Sequence, residues 1–335
     1  MGQCPAHAEQ GERAPGAANP SSVSESRFRF LEITGSVRRP TMVPVEEEPR
    51  AEPVARVRFR VAETVGGPGA ELGYFNCPGG IAVDADSNIY VADSRNHRIQ
   101  KITPHGEVYG LGGEGLLLCP QGVAVDHMGS LYIVEQGANR LQKFGPRGQW
   151  LFAIGGPDAE RPRFACPTAI AIDSFHHVYI ADTDNNRVCC YSATGKWQMD
   201  YHGPRPDMAF GRPQGVVVDA LGQLYVSDTL RHRIIRLTPD GKFDAVLGRP
   251  GPRPGELAEP RGLCLDLDGG LWVADAGNDR VQKFTPEGEL MCCVPETPTK
   301  KLDFSRPSAI AVDQRGNVYV SDTMRHRLLR LVPVG

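Results

Sequence analysis

Pro78-Gly79-Gly80-Ile81-Ala82-Val83-Asp84, then Asn88-Ile89-Tyr90-Val91-Ala92-Asp93, then Arg98-Ile99-Gln100-Lys101-Ile102, is the stretch on which the fold turns. Its apolar runs are strand-sized, rich in Ile, Val and Tyr, and broken by Gly, Asp and Asn, as short antiparallel strands require. The same frame returns six times, on Pro78, Pro120, Pro167, Pro213, Pro260 and Pro307. Six residues after each proline stands Asp84, Asp126, Asp173, Asp219, Asp266 or Asp313. Nine further on stands Asp93, Glu135, Asp182, Asp228, Asp275 or Asp322, and five beyond that Arg98, Arg140, Arg187, Arg233, Arg280 or Arg327.

Each copy holds strands a and b, a strand c after the arginine, and a strand d after a turn such as Thr238-Pro239-Asp240-Gly241. Four short strands repeated every 42 to 47 residues describe a propeller blade, and no apolar spacing of three and four supports a helical solenoid. The expected fold is therefore all-β, a six-bladed β-propeller of four-stranded antiparallel blades spanning residues 57–335. The sixth copy ends after strand c, while Val57-Arg58-Phe59-Arg60-Val61 through Gly66-Gly67 has the strand-d pattern. The amino-terminal run is thus expected to complete the last blade and close the ring, removing its open edges.

Residues 1–56 are rich in Ser, Pro, Gly and Ala and read as mostly disordered, except that Arg27-Phe28-Arg29-Phe30-Leu31-Glu32-Ile33 alternates like an extra strand. A net charge of −3 gives no overall drive toward nucleic acid or membrane. Nine cysteines without a C-x-x-C spacing fit reduced thiols, and no apolar run is long enough to span a bilayer. The expectation is a cytoplasmic protein with no membrane partner and no cofactor.

The pattern Pro-x-Gly-Val-Ala-Val-Asp followed by Tyr-Val-Ala-Asp-x-x-Asn-His-Arg-Ile-Gln-Lys resembles the NHL repeat, over nearly all of residues 57–335. That resemblance implies a propeller and only a menu of activities: RNA-binding and ubiquitin-ligase scaffolds, a zinc-dependent amidating lyase, and bacterial proteins of unknown role.

Residues present in every blade are read as serving the blade, and residues that differ between blades as candidates for a ligand. By this rule the acid and arginine five apart are structural, the carboxylate capping the b–c turn and the arginine bridging to it or to a neighbouring blade. In a meander the d–a connections and b–c loops share one face, here the top face. Its candidate ligand-binding residues are Arg95, His97, Arg212, Arg231, His232, Arg261, Arg306, Arg325 and His326, a basic crescent over blades four, five, six and one. The opposite face carries Asp84, Asp86, Asp219, Asp266, Asp268 and Asp313, which would make the disc dipolar.

Three histidines are the ligand set of a catalytic zinc, but b–c loops stand away from the axis, and His97, His232 and His326 are not expected to converge. Cys77, Cys119 and Cys166 precede the strand-a prolines of three consecutive blades and form a weak candidate for a soft metal. No G-x-S-x-G, H-E-x-x-H, P-loop or dinucleotide fingerprint is present. The reading is a non-catalytic binding or scaffold module for an anionic protein or peptide, with a small anionic ligand as a further partner. Its alternatives are a metal-dependent lyase or hydrolase using the axial channel, and an RNA-binding propeller.

Overall fold

The computed structural model describes residues 58–334 apart from 114, 158–162, 204, 206–207 and 296–303. Residues 1–56, with the candidate strand at 27–33, lie outside the described residues. Six four-stranded antiparallel sheets follow one another along the chain. In blade one, strands a to d are Pro78–Val83, Ile89–Asp93, Arg98–Ile102 and Val108–Gly112. Blades two to five repeat this order, beginning at Pro120–Val125, Pro167–Ile172, Pro213–Val218 and Pro260–Leu265. Blade six takes Pro307–Val312, Val318–Asp322 and Arg327–Val334 from the carboxy-terminal end, and its fourth strand is Arg58–Gly66. That strand pairs from Arg58↔Val334 to Gly66↔Arg327, with a bulge between Val61 and Glu63. Among the described residues no helix is long and apolar enough to cross a membrane.

The core lies between blades. Among the described residues there are six clusters of buried side chains, and each joins two successive sheets. The junction of blades six and one is built like the others, with Ala309, Ala311, Tyr319 and Leu328 packed on Phe75, Ile81, Ile89 and Val91. Every junction receives one large side chain three residues before a strand-a proline: Phe75, Leu117, Phe164, Phe210, Leu257 and Phe304 are each at most 5% exposed. Fully burying such a side chain contributes about 1.5–3 kcal/mol. Nearer the axis the blades approach so closely that Gly80, Gly122, Gly215 and Gly262 face the neighbouring backbone; a Cβ on Gly215 would lie 2.1 Å from the Arg261 carbonyl oxygen.

The repeated carboxylates hold each blade, in a manner that corrects the expected cap. None of the single-turn 3-10 segments following strand b receives a side-chain cap bond. Instead the carboxylate reaches back to its own d–a connection: Asp93 accepts the Asn76 N–H at 2.7 Å, and Glu135, Asp182, Asp228, Asp275 and Asp322 repeat the bond at 2.6–2.7 Å. The arginine five residues on donates from Nε to the same carboxylate, at 2.6–2.8 Å in all six blades. Its outer nitrogens hold the same connection, as where Arg98 donates to the Glu71 and Tyr74 carbonyls. The bridge stays within one blade.

Candidate functional site

The top face is shaped by a second set of contacts, between blades, that the sequence pattern does not display. The residue closing each b–c loop has a left-handed backbone: His97, Asn139, Asn186, His232, Asp279 and His326 have φ of 47–55°. Each accepts a hydrogen bond from the residue before the next blade's proline. His97 Nδ1 accepts from Cys119 N–H at 3.0 Å, Asn139 Oδ1 from Cys166, Asn186 Oδ1 from Arg212, His232 Nδ1 from Glu259 and Asp279 Oδ1 from Arg306. His326 Nδ1 accepts from Cys77 N–H at 2.9 Å, across 249 residues of sequence, and so latches the ring shut. The accepting Nδ1 fixes the histidine tautomer with its proton on Nε2. His97, His232 and His326 are therefore ring latches at Nδ1, leaving only Nε2 for a ligand.

This latch makes a specific prediction. His326→Ala leaves the Cys77 N–H without its acceptor and forces alanine into a left-handed conformation, which should lower stability by about 1–3 kcal/mol in thermal denaturation. His326→Asn should melt close to the wild type, because Asn139 and Asn186 already fill the same role in blades two and three.

The cysteine candidates occupy the other half of the latch. Cys77, Cys119 and Cys166 are the residues whose N–H groups are bound, with φ of 46–53°. Around the ring they are replaced by Arg212, Glu259 and Arg306. Among the described residues no three His, Cys, Asp or Glu side chains come together as a metal would require, so the three thiols do not converge. A hydrogen bond with Asp184 raises the Cys166 thiol above its ordinary value. Burial pushes the Cys190 thiol up to about 11 and the Cys292 thiol up to about 12, which keeps these two as neutral thiols at pH 7.

The expected basic crescent is partly neutralised by carboxylates that the repeat frame hides. Arg212 bridges to Asp184 of the preceding blade at 2.8 Å, and Arg306 bridges to Glu259. The Arg306 hydrogen bond holds the Glu259 carboxyl below the usual range. Arg231 stands 3.5 Å from the buried Asp228 with its own side chain 41% exposed. Arg95 and Arg325 are exposed at the loop tips. Beside two of these arginines sit exposed apolar side chains, Leu230 at 59% and Met324 at 56%.

The acidic opposite face needs a larger correction. Each first aspartate folds its own a–b turn: Asp84 Oδ1 accepts the Asp86 and Asn88 N–H groups, while its Oδ2 accepts from Asn88 Nδ2 and the Tyr90 hydroxyl. Asp126, Asp173, Asp219, Asp266 and Asp313 accept turn N–H groups in the same way. What projects from four of these turns is apolar: Met128, Phe175, Leu221 and Leu267 are each 66–79% exposed.

On the axis, strands a of all six blades enclose a cavity of about 100 Å³. Each blade contributes three residues, and of all the lining side chains only that of Arg261 is ionisable.

These features define a closed six-bladed β-propeller whose repeated polar residues serve blade and ring. The NHL repeat model matches residues 75–102, 164–191, 210–237, 257–284 and 304–331, and the chain belongs to the NHL-repeat β-propeller family. Blade two, where Glu135 replaces the aspartate, lies outside those matches yet folds as the others do. Among curated proteins the sequence comparison gives no match. Among solved structures the chain is similar to a streptogramin B lyase, with 16% identity and a TM-score of 0.61 over 82% of this chain and 98% of that one. It is similar to the virginiamycin B lyase of Staphylococcus aureus, with 12% identity and a TM-score of 0.61 over 83% and 100% of the two chains. A gluconolactonase of Xanthomonas campestris gives 18% identity and a TM-score of 0.62 over 84% and 99%. At these identities the likeness is one of fold.

Proposed function

We propose that the propeller is a recognition module that binds an acidic protein or peptide segment on its top face. The observation that carries this reading is the pairing of exposed apolar and cationic side chains at equivalent positions of two b–c loops: Leu230-Arg231 in blade four and Met324-Arg325 in blade six. Neither pair recurs in every blade, so the blade does not need it. Met and Arg are enriched at protein interfaces, and Arg grips carboxylates in a planar fork. Arg95 on blade one extends the cationic arc. The aliphatic companions favour a peptide over RNA, whose bases call for stacking aromatics.

The lyases and the lactonase to which the fold is similar raise a catalytic alternative at the axis. Acid–base chemistry there needs a group that exchanges protons near neutral pH, and the cavity lining offers only a guanidinium, which does not. Recognition is therefore the better reading.

Fluorescence anisotropy with a library of glutamate- and aspartate-rich peptides, against neutral and basic controls, tests it. The wild type should select acidic sequences, and combined Arg95→Ala, Arg231→Ala and Arg325→Ala should weaken that binding at least about tenfold, or 1.4 kcal/mol, with an unchanged melting temperature. Equal affinity in the triple variant, or a preference for RNA over every peptide, would contradict the proposal.

A further inference from the structure

We propose that the axial cavity is a binding site for a small oxyanion, a carboxylate or a phosphate, held by the Arg261 guanidinium. This goes beyond the rim reading and stands without it, since an ion can occupy the axis whether or not a protein docks on the loops.

Arg261 is the residue after the strand-a proline of blade five. The same position holds Gly79, Gln121, Thr168, Gln214 and Ser308 in the other blades, all lining the cavity and all neutral. The ring therefore closes five times without a cation there, and the arginine is not part of the blade. Its Nε is buried with no hydrogen-bond partner among the described residues, and it makes no salt bridge there. Glu259, whose charge acts on Arg261, is itself bridged to Arg306. A desolvated, unpaired charge is unfavourable, and burial together with the neighbouring Arg306 lowers the Arg261 pKa below the ordinary arginine value. The group nonetheless stays protonated at neutral pH. An anion would relieve both effects at once.

The surroundings suit a small oxyanion. The Gln121 and Gln214 amides line the same cavity and can donate to oxygen, whereas the Thr168 and Ser308 hydroxyls beside them already donate to the Gln214 and Pro78 carbonyls. The Gly and Ala residues that follow and the apolar residues two positions further along each strand, among them Val216 and Leu263, form the rest of the lining. The volume of about 100 Å³ corresponds to roughly three water molecules at about 30 Å³ each, the scale of a carboxylate or phosphate group. The site is also preorganised: the Arg261 carbonyl packs against Gly215, where a side chain would collide with it at 2.1 Å. Preorganisation lowers the cost of ordering on binding.

The test is isothermal titration calorimetry of the full chain with inorganic phosphate and, in a separate arm, acetate. The wild type should bind at least one of the two saturably at one site, and the preferred probe tells which oxyanion fits. Arg261→Gln should bind it at least about tenfold more weakly. Arg261→Lys, which keeps the charge and loses the planar fork, should fall between, and it replaces the glutamine variant should that one fail to fold. The triple variant at Arg95, Arg231 and Arg325 should bind the ion as the wild type does, so failure of the rim reading and failure of this one give different patterns. No saturable binding of either probe, or equal binding after loss of the arginine, overturns the site.

Discussion

A chain lacking residues 1–66 should lose its cooperative melt and elute from a sizing column as aggregate, while a chain lacking only residues 1–56 should melt as the full chain does. The first deletion removes the outer strand of blade six, whose partners run from Val334 to Arg327. It also strips Phe59 from the edge of the Trp272 ring, where the centroids lie 4.9 Å apart, and Val61 from the cluster that joins blades five and six. Full burial of a side chain contributes about 1.5–3 kcal/mol, so these two partly buried ones contribute less than that each, and the lost ladder bonds contribute about 1 kcal/mol apiece net. The sum, on the order of 5 kcal/mol or more, is comparable to the whole stability of a typical domain. The exposed edge of Arg327–Val334 then offers an unpaired strand to another chain, which is why aggregation accompanies unfolding. Circular dichroism melting and size exclusion on both deletions would check it, and a folded monomer lacking residues 1–66 would refute the account of closure.

The second large effect is expected at Asp275. Its carboxylate is fully buried and accepts from Ala258 N–H, Asn278 Nδ2, Arg280 Nε and Gln282 Nε2 at 2.6–3.0 Å. Asp275→Ala leaves the Arg280 guanidinium, whose side chain is 9% exposed, without its counter-charge. Breaking a buried pair from one side costs about 3–5 kcal/mol. Because Arg280 also donates to the Pro252, Arg253 and Glu256 carbonyls, the connection between blades four and five should loosen with it. Hydrogen exchange should show that loosening around residues 252–258. Asp275→Ala with Arg280→Leu, which removes both charges, should recover part of the loss, and a double variant no more stable than the single one would show that the charge is not the cause.

The propeller was legible in the sequence because its determinants are local. Pro, Asp and Arg keep fixed intervals within one blade, and the register confirms why: Pro78, Asp93 and Arg98 stand opposite one another on neighbouring strands. The buried Phe or Leu three residues before each proline is equally periodic and could have been read from the same alignment of copies. The latches are harder to see. His, Asn and Asp share no side-chain class, and what unites His97, Asn139, Asn186, His232, Asp279 and His326 is a left-handed backbone beside an acceptor atom. Pairs between blades, such as Arg212 with Asp184, depend on how closely neighbouring sheets approach, and spacing along the chain does not encode that distance. For the same reason the crescent read from loop composition overstated the free positive charge. Arg261 was drawn from composition as one rim residue among nine, whereas its burial against the axis sets it apart.

The account rests on dividing what repeats from what does not, and one b–c loop holds both kinds of residue three positions apart. Asp228 belongs to the frame repeated in every blade and is fully buried; Arg231 has an equivalent only in Arg325 of blade six and is exposed. Thermal melting and acidic-peptide anisotropy, measured together on Asp228→Ala and Arg231→Ala, compare them directly. The expected result is an Arg231→Ala protein that melts with the wild type and binds more weakly, beside an Asp228→Ala protein that melts far earlier. An Arg231→Ala protein that melts early with its affinity intact would contradict the division and the top-face reading built on it.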